Sequence, residues 1–367
     1  MADSTPIPSL ATYHPLGRSG LRVSPLCLGA MTFGTEWGWG APRDTVFALL
    51  DRFLEAGGNF VDTADLYTNG SSERLIGEWM HERNNRDRVV LATKFTFGGG
   101  LGQGNPNRGG NGRKAIMRSL ETSLERLRTD YIDLYWLHAW DTVTPIEEVV
   151  RTLDDLVSRG LVRHVGLSDT PAWYAARAVT LAEALGREKV IALQLEYSLV
   201  ERNIEREHVP LARELGLGIT PWSPLAGGLL TGKIGRDLKG ERGRLTSFDI
   251  TKSPIYAKYA APRNFDIVDE LVAVAKELGR SPAQVALSWV TRRPGVASTI
   301  IGATKPGQLE DNLRALELVI PAELSKRLDD VSRIELGFPY AWFGAGASNP
   351  TMSGGTRILS EPPWWRG

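Results

Sequence analysis

Apolar residues along this chain fall into two rhythms that take turns. One is a short unbroken run; the other is a stripe at helical spacing, about 3.6 residues per turn. Unbroken runs occupy 26–30, 59–61, 89–92, 131–137, 162–167, 190–195, 217–220 and 296–301. Helical stripes fill 43–56, 72–82, 113–128, 146–159, 172–185, 204–215, 265–278, 282–292 and 308–316. In the first stripe Val46, Leu49, Leu50, Phe53 and Leu54 share a face, and Gly57–Gly58 supplies the stop. Strands and helices alternating at this spacing predict parallel βαβ units. Eight such strands are the number that closes a (β/α)8 barrel. An open doubly wound sheet uses the same units, but no G-x-G-x-x-G follows the first strand and no break in composition divides the eight. The expectation is an α/β fold: one (β/α)8 TIM barrel domain over 1–367, its barrel at about 24–316, with a C-terminal helix and tail at 317–367. A hairpin precedes it, where 13–16 and 21–23 flank Gly17–Arg18–Ser19–Gly20. Two long segments, 98–112 and 226–262, read as loops.

Composition narrows the class. The chain has 367 residues, 42% of them hydrophobic, and 43 basic side chains balance 43 acidic ones. That balance gives no overall field for nucleic acid or an anionic membrane surface. No apolar run approaches the ~20 residues that span a bilayer. Cys27 is the only cysteine, which excludes an intrachain disulfide and fits a cytoplasmic location. Monomer and homo-oligomer both stay open. The eleven Trp are unusually many, and Trp37, Trp39, Trp140, Trp222, Trp342, Trp364 and Trp365 fall in or beside loops. A large flat binding surface is one use for them; packing between loops is another.

Polar residues at strand ends supply the candidate chemistry. In a parallel barrel the carboxyl ends of successive strands meet on one rim. Asp62 with Tyr67, then Lys94, then His138 stand at three successive strand ends. A free phenol, with a pKa of about 10, is a poor proton donor near neutrality. A neighbouring ammonium favours the phenolate and is expected to lower that value. A carboxylate keeps the lysine charged, and a neutral imidazole can orient a carbonyl oxygen. The set makes a tyrosine acid aimed at a carbonyl. None of the four can supply a hydride, so a redox cofactor is required.

The ordered set Asp62, Tyr67, Lys94, His138 resembles the catalytic tetrad of the aldo-keto reductase superfamily. Its contexts match as well: Asn-Phe-Val-Asp-Thr-Ala-Asp-Leu-Tyr (59–67), Leu-Ala-Thr-Lys (91–94) and Asp-Leu-Tyr-Trp-Leu-His (133–138). Leu-Gln-Leu-Glu-Tyr-Ser (193–198), the segment 221–233 and Ile-Gly-Ala-Thr-Lys-Pro-Gly-Gln-Leu-Glu-Asp-Asn (301–312) extend the similarity over about residues 12–335. The resemblance implies reversible reduction of an aldehyde or ketone by NADPH, with Tyr67 as proton donor, Lys94 tuning it, Asp62 supporting Lys94 and His138 orienting the carbonyl. It implies nicotinamide contacts from Ser168, Asp169, Gln194 and Trp222, and a pyrophosphate loop containing Ser223, Pro224, Leu225 and Gly227. Gly302, Thr304, Lys305, Gln308 and Asn312 would hold the adenosine end, with Lys305 on the 2′-phosphate. No metal is implied. One position departs from the pattern: the family usually has Ser-Asn where this chain has Ser168–Asp169, and an ionised Asp accepts hydrogen bonds but donates none.

A small-molecule carbonyl pocket is expected between Trp37, Trp39, Phe95 and Trp140, joined by Trp342 and Phe343 from the tail, and suited to bulky or flat substrates. Two other classes remain as alternatives: a cofactor-binding regulatory subunit of the same fold, and a barrel lyase using Lys94 as a Schiff base.

Overall fold

The computed structural model describes residues 9–98, 104–240, 244–246, 256–340 and 354–356. Trp342, Phe343, Trp364 and Trp365 lie outside the described residues. A two-stranded hairpin, β1 (His14–Pro15) and β2 (Arg22–Val23), comes first. The apolar runs then form β3 (Leu26–Gly29), β4 (Phe60–Asp62), β5 (Val90–Phe95), β6 (Ile132–Leu137), β7 (Val162–Ser168), β8 (Val190–Glu196), β9 (Gly218–Trp222) and β10 (Thr299–Ile301). All eight are parallel, in the order β10-β3-β4-β5-β6-β7-β8-β9. Between β9 and the segment leading into β10, Ile219 N–H donates to the Gly295 carbonyl and Ala297 N–H donates to the Ile219 carbonyl, which brings the sheet round on itself. The result is a (β/α)8 barrel.

The helices are α1 (Arg43–Glu55), α2 (Ser71–Arg83), α3 (Arg113–Leu127), α4 (Ile146–Ser158), α5 (Ala172–Ala184), α6 (His208–Leu215), α7 (Pro262–Leu278), α8 (Pro282–Thr291), α9 (Pro306–Leu313) and α10 (Ala322–Val331). Most stripes match within a residue or two. The stripe at 204–215 does not: a 3-10 turn, Asn203–Glu205, is followed by a helix that starts only at His208. Pro210 explains the late start. Its ring excludes a helical carbonyl four residues back and it has no N–H, so it is tolerated only in the first turn.

Alternation along each strand separates two apolar layers. Leu26, Leu28, Val61, Leu91, Phe95, Tyr135 and Leu137 face outward and pack with the helices. Cys27, Phe60, Ala92, Leu134, Trp136, Ala192 and Ile300 pack together inside the barrel. Leu16 and Val23 of the hairpin belong to that inner cluster and stop the barrel at the amino ends of its strands. Gly17 makes this fit possible, since a Cβ there would meet the Ile191 carbonyl oxygen at 2.2 Å. Across the inner layer Trp136 lies against Gly166, where a Cβ would come within 2.3 Å of the indole. Among the described residues no helix is long and apolar enough to cross a membrane.

Candidate active site

The polar side chains of the site continue the inward-facing rows. Side chains on a strand alternate between faces, so positions two apart point the same way. Phe60 is followed by Asp62, Ala92 by Lys94, Trp136 by His138, Gly166 by Ser168 and Ala192 by Gln194. In each pair the first residue lies lower in the barrel and the second at the carboxyl end of its strand. The same parity corrects one expectation. Phe95 follows inward-facing Lys94, so it points outward, fully buried against Tyr135 at 4.9 Å between ring centres, and cannot line a pocket.

Tyr67 reaches the mouth on a tight turn. Thr68 and Asn69 adopt left-handed backbone, with φ of 45° and 55°. That is costly for a β-branched Thr. Thr68 is held there by donating from Oγ1 to the Phe33 carbonyl at 2.6 Å and accepting from the Ser72 N–H at 3.0 Å. The turn sets the phenol above Lys94.

Lys94 is the hub. Its Nζ donates to Asp62 Oδ1, to the Thr63 carbonyl at 2.8 Å and to Tyr67 Oη at 3.3 Å. An ammonium has three N–H donors, so all are engaged. Burial by itself would depress the lysine pKa, but Asp62 and Tyr67 outweigh it and hold the value above normal. The amine is charged and fixed. Asp62 uses its other oxygen, Oδ2, to accept from Gln194 Nε2 at 3.0 Å.

For Tyr67 the balance differs from the sequence-based expectation. Burial raises the phenol pKa, Lys94 pulls it down, and Asp62 raises it again, leaving it above the ordinary value. The lysine therefore offsets the cost of burial rather than making a free phenolate. The resting phenol keeps its proton and accepts from Lys94, which leaves its O–H to donate elsewhere. His138 stacks edge-on to Tyr67, with ring centres 5.9 Å apart. Burial and then the Lys94 charge push its pKa well below normal, so the imidazole is neutral. Its Nδ1 is buried without a hydrogen-bond partner.

The residues expected at the nicotinamide end converge beside this hub. Ser168 Oγ is buried and has no hydrogen-bond partner, a polar atom placed to serve a bound amide. Asp169, in left-handed backbone at φ 44°, accepts from Trp222 Nε1 on Oδ1 at 2.9 Å. Solvent reaches its side chain in the open cleft, yet the surrounding protein raises the carboxyl to about 7. A cavity of about 470 Å³ opens here, lined in part by Trp140, Asp169, Glu196, His208, Trp222 and Lys258. After β9, Ser223, Ala226, Gly227 and Gly228 all have positive φ, and Ser223 Oγ lies 3.4 Å from Tyr259 Oη. Pro224 and Leu225 complete that turn. At the other end, nothing lies within 4 Å of a Cβ built on Gly302, so a ligand has room to approach. Thr304 N–H donates to Gln308 Oε1 at 2.8 Å, and Asn312 Nδ2 donates to the Gly302 carbonyl at 3.2 Å. Lys305 caps α9 and is exposed. An orphaned buried hydroxyl, an open glycine shelf and an exposed cation at a helix start fit an extended, anionic dinucleotide.

Aromatic rings wall the mouth. Trp37 lies 6.3 Å from Tyr67 and 5.6 Å from Trp39. Phe97, half exposed, stands edge-on to His138 at 4.9 Å. Trp140 packs on Trp173 at 5.5 Å, and Trp173 is itself exposed. Phe97 and Trp173 were not among the expected wall residues. Parity would have turned Phe97 outward with Phe95; it reaches the mouth because β5 ends at Phe95 and Thr96 takes a φ of 110°, which breaks the alternation. Nothing local marks Trp173, which opens α5 beside the rim.

The family model for the Aldo/keto reductase family matches residues 25–333. A norsolorinic acid reductase of Aspergillus flavus is 34% identical over 365 residues, covering 97% of this chain and 90% of the relative. An aryl-alcohol dehydrogenase [NADP(+)] of Phanerodontia chrysosporium is 37% identical over 343 residues, covering 89% of this chain and 87% of the relative. The family match runs through the barrel and every strand end described above. The chain belongs to the aldo/keto reductase family and is an NADPH-dependent oxidoreductase of carbonyl compounds.

Proposed function

We propose that Tyr67 is the proton donor of this oxidoreductase, with Lys94, Asp62 and His138 as its supporting groups, and that the substrate is a flat or bulky aldehyde or ketone. The observation that carries the reading is the hub at Lys94, whose third N–H ends on Tyr67 Oη at 3.3 Å. Bound NADPH supplies the hydride that reduces the carbonyl carbon. Tyr67 gives its proton to the carbonyl oxygen as negative charge develops there, and the phenolate left behind lies beside the fixed Lys94 ammonium. Neutral His138, with a proton on Nε2, would direct the carbonyl oxygen to the same point. In the oxidative direction the phenolate takes the alcohol proton back.

On the cofactor side, Ser168 Oγ is suited to donate to the nicotinamide amide oxygen. Asp169 already accepts from Trp222 on one oxygen, which leaves Oδ2 to accept from the amide NH2. Lys305 is suited to the 2′-phosphate. Trp37, Trp39, Phe97 and Trp140 favour planar, apolar substrates, and a relative named for aryl alcohols accords with that preference. The fully buried thiol of Cys27, with no disulfide possible, suits the cytoplasm. A Schiff-base lyase reading is disfavoured because the Lys94 amine is charged, ion-paired and completely buried.

Substitution of Tyr67 by Phe tests the assignment. Turnover should fall by about 10²–10⁴-fold, the usual worth of a positioned acid, while NADPH still quenches tryptophan fluorescence. Near wild-type turnover would remove Tyr67 from the role.

A further inference from the structure

Gln194 is expected to touch the nicotinamide amide, yet its Nε2 is committed elsewhere. It donates to Asp62 Oδ2 at 3.0 Å, and both side chains are almost wholly buried. Strands β4 and β8, which carry them, stand four places apart in an eight-stranded ring, so the bond spans the barrel. Asp62 holds Lys94 through Oδ1 alone. Its Oδ2 is an anionic acceptor shut away from water, and Gln194 is the one donor that reaches it among the described residues. A buried carboxylate oxygen without a donor is costly and drives the group to turn. Turning Asp62 would release Lys94 from the geometry that brings its third N–H to Tyr67.

We infer that Gln194 is a positioning residue for the proton-delivery network: it fixes Asp62, and through Asp62 and Lys94 it sets the acidity of Tyr67. The inference rests on Tyr67 being the proton donor. Gln194 Oε1 stays available to accept from the nicotinamide amide, so one side chain joins the cofactor site to the proton donor. Asp169 N–H also donates to the Gln194 carbonyl, at 3.2 Å, which anchors the backbone of the same residue.

Two variants separate this role from that of a plain cofactor contact. Gln194→Glu keeps the length and the oxygen that faces the amide. As a neutral acid it can still donate to Asp62 Oδ2; once ionised it opposes a second carboxylate. Its kcat should therefore lie near wild type at low pH and fall about tenfold or more relative to wild type as pH rises through neutrality. Its Kd for NADPH, read by quenching of tryptophan fluorescence, should stay within about threefold at the same pH values. Gln194→Met, which cannot donate at any pH, should have low kcat throughout and no such slope. NADPH binding by each variant also reports that the fold is intact. If both variants keep the wild-type kcat–pH profile and only the Kd changes, Gln194 is a cofactor contact and the inference is wrong. Retention of turnover by Tyr67→Phe would instead sink the proton-donor assignment, so the two failures are told apart.

Discussion

Asp65 lies beside Tyr67 in sequence but points away from the site, into the packing between β4 and α3. Ser119 Oγ donates to its Oδ2 at 3.0 Å, while Oδ1 is buried with no partner. Burial, and then the nearby Glu73, raise its pKa from 3.8 to about 7. The folded state therefore binds this proton more tightly than the unfolded chain. Between about pH 4 and 7 the unfolded Asp65 is ionised while the folded one is not, so stability falls as pH rises across that window and stays lower above it. Asp65→Asn should match wild type in thermal midpoint near pH 4 and exceed it at pH 8, by an amount worth on the order of a few kcal/mol. Equal midpoints at pH 8 would contradict the raised pKa. Asp62 and Asp65 are alike as letters in the sequence, and strand parity distinguishes them: Asp62 continues the inward row from Phe60, whereas Asp65 comes after the strand has ended. The candidate set was legible because Asp62, Lys94 and His138 sit just past apolar runs and Tyr67 on the turn after the first of them. The direction of the Tyr67 shift was not, since it depends on how much protein surrounds the phenol.

At the scale of elements, each site residue is delivered by a strand end or by the turn that follows it. The segment from β10 into α9 is the simplest case. Open Gly302, the Thr304–Gln308 hydrogen bond and exposed Lys305 form the start of a helix whose dipole favours an anion. Lys305→Ala should raise the KM for NADPH about tenfold or more and leave the KM for NADH nearly unchanged, measured by absorbance of the reduced nicotinamide. An equal rise for both would remove the 2′-phosphate assignment. Strand existence and order were legible in the apolar rhythm, but the length of β5 was not. Its apolar run stops at Ala92, whereas the ladder continues through Phe95 because Thr93 and Lys94 pair with Tyr135 and Trp136 of β6. That extension turns Phe95 outward and leaves Phe97 as the aromatic at the mouth. The bond from Gln194 to Asp62 joins positions 132 residues apart and leaves no mark on local sequence.

Across the whole molecule, the hairpin and the rim divide stability from chemistry. Leu16 and Val23 fill the amino end of the barrel, and Asn59 ties that end together: its Nδ2 donates to the Arg22 carbonyl at 2.9 Å and its Oδ1 accepts from Ser24 N–H at 2.8 Å. Leu16→Ala should cost about 2–5 kcal/mol of stability through the cavity it leaves, seen in chemical denaturation. Its kcat and KM should stay close to wild type, because the tetrad stands at the opposite end of the strands. A large loss of kcat with unchanged stability would mean that the stopper also shapes the site.

The stopper has a further consequence for traffic. With the lower end filled by Leu16 and Val23, reactants reach Tyr67 from the upper mouth and products leave the same way. If Tyr67 is the proton donor proposed above, the proton it gives away is also replaced from that side. On that reading, substrate, product and proton would all pass the aromatic rim at Trp37, Phe97 and Trp140.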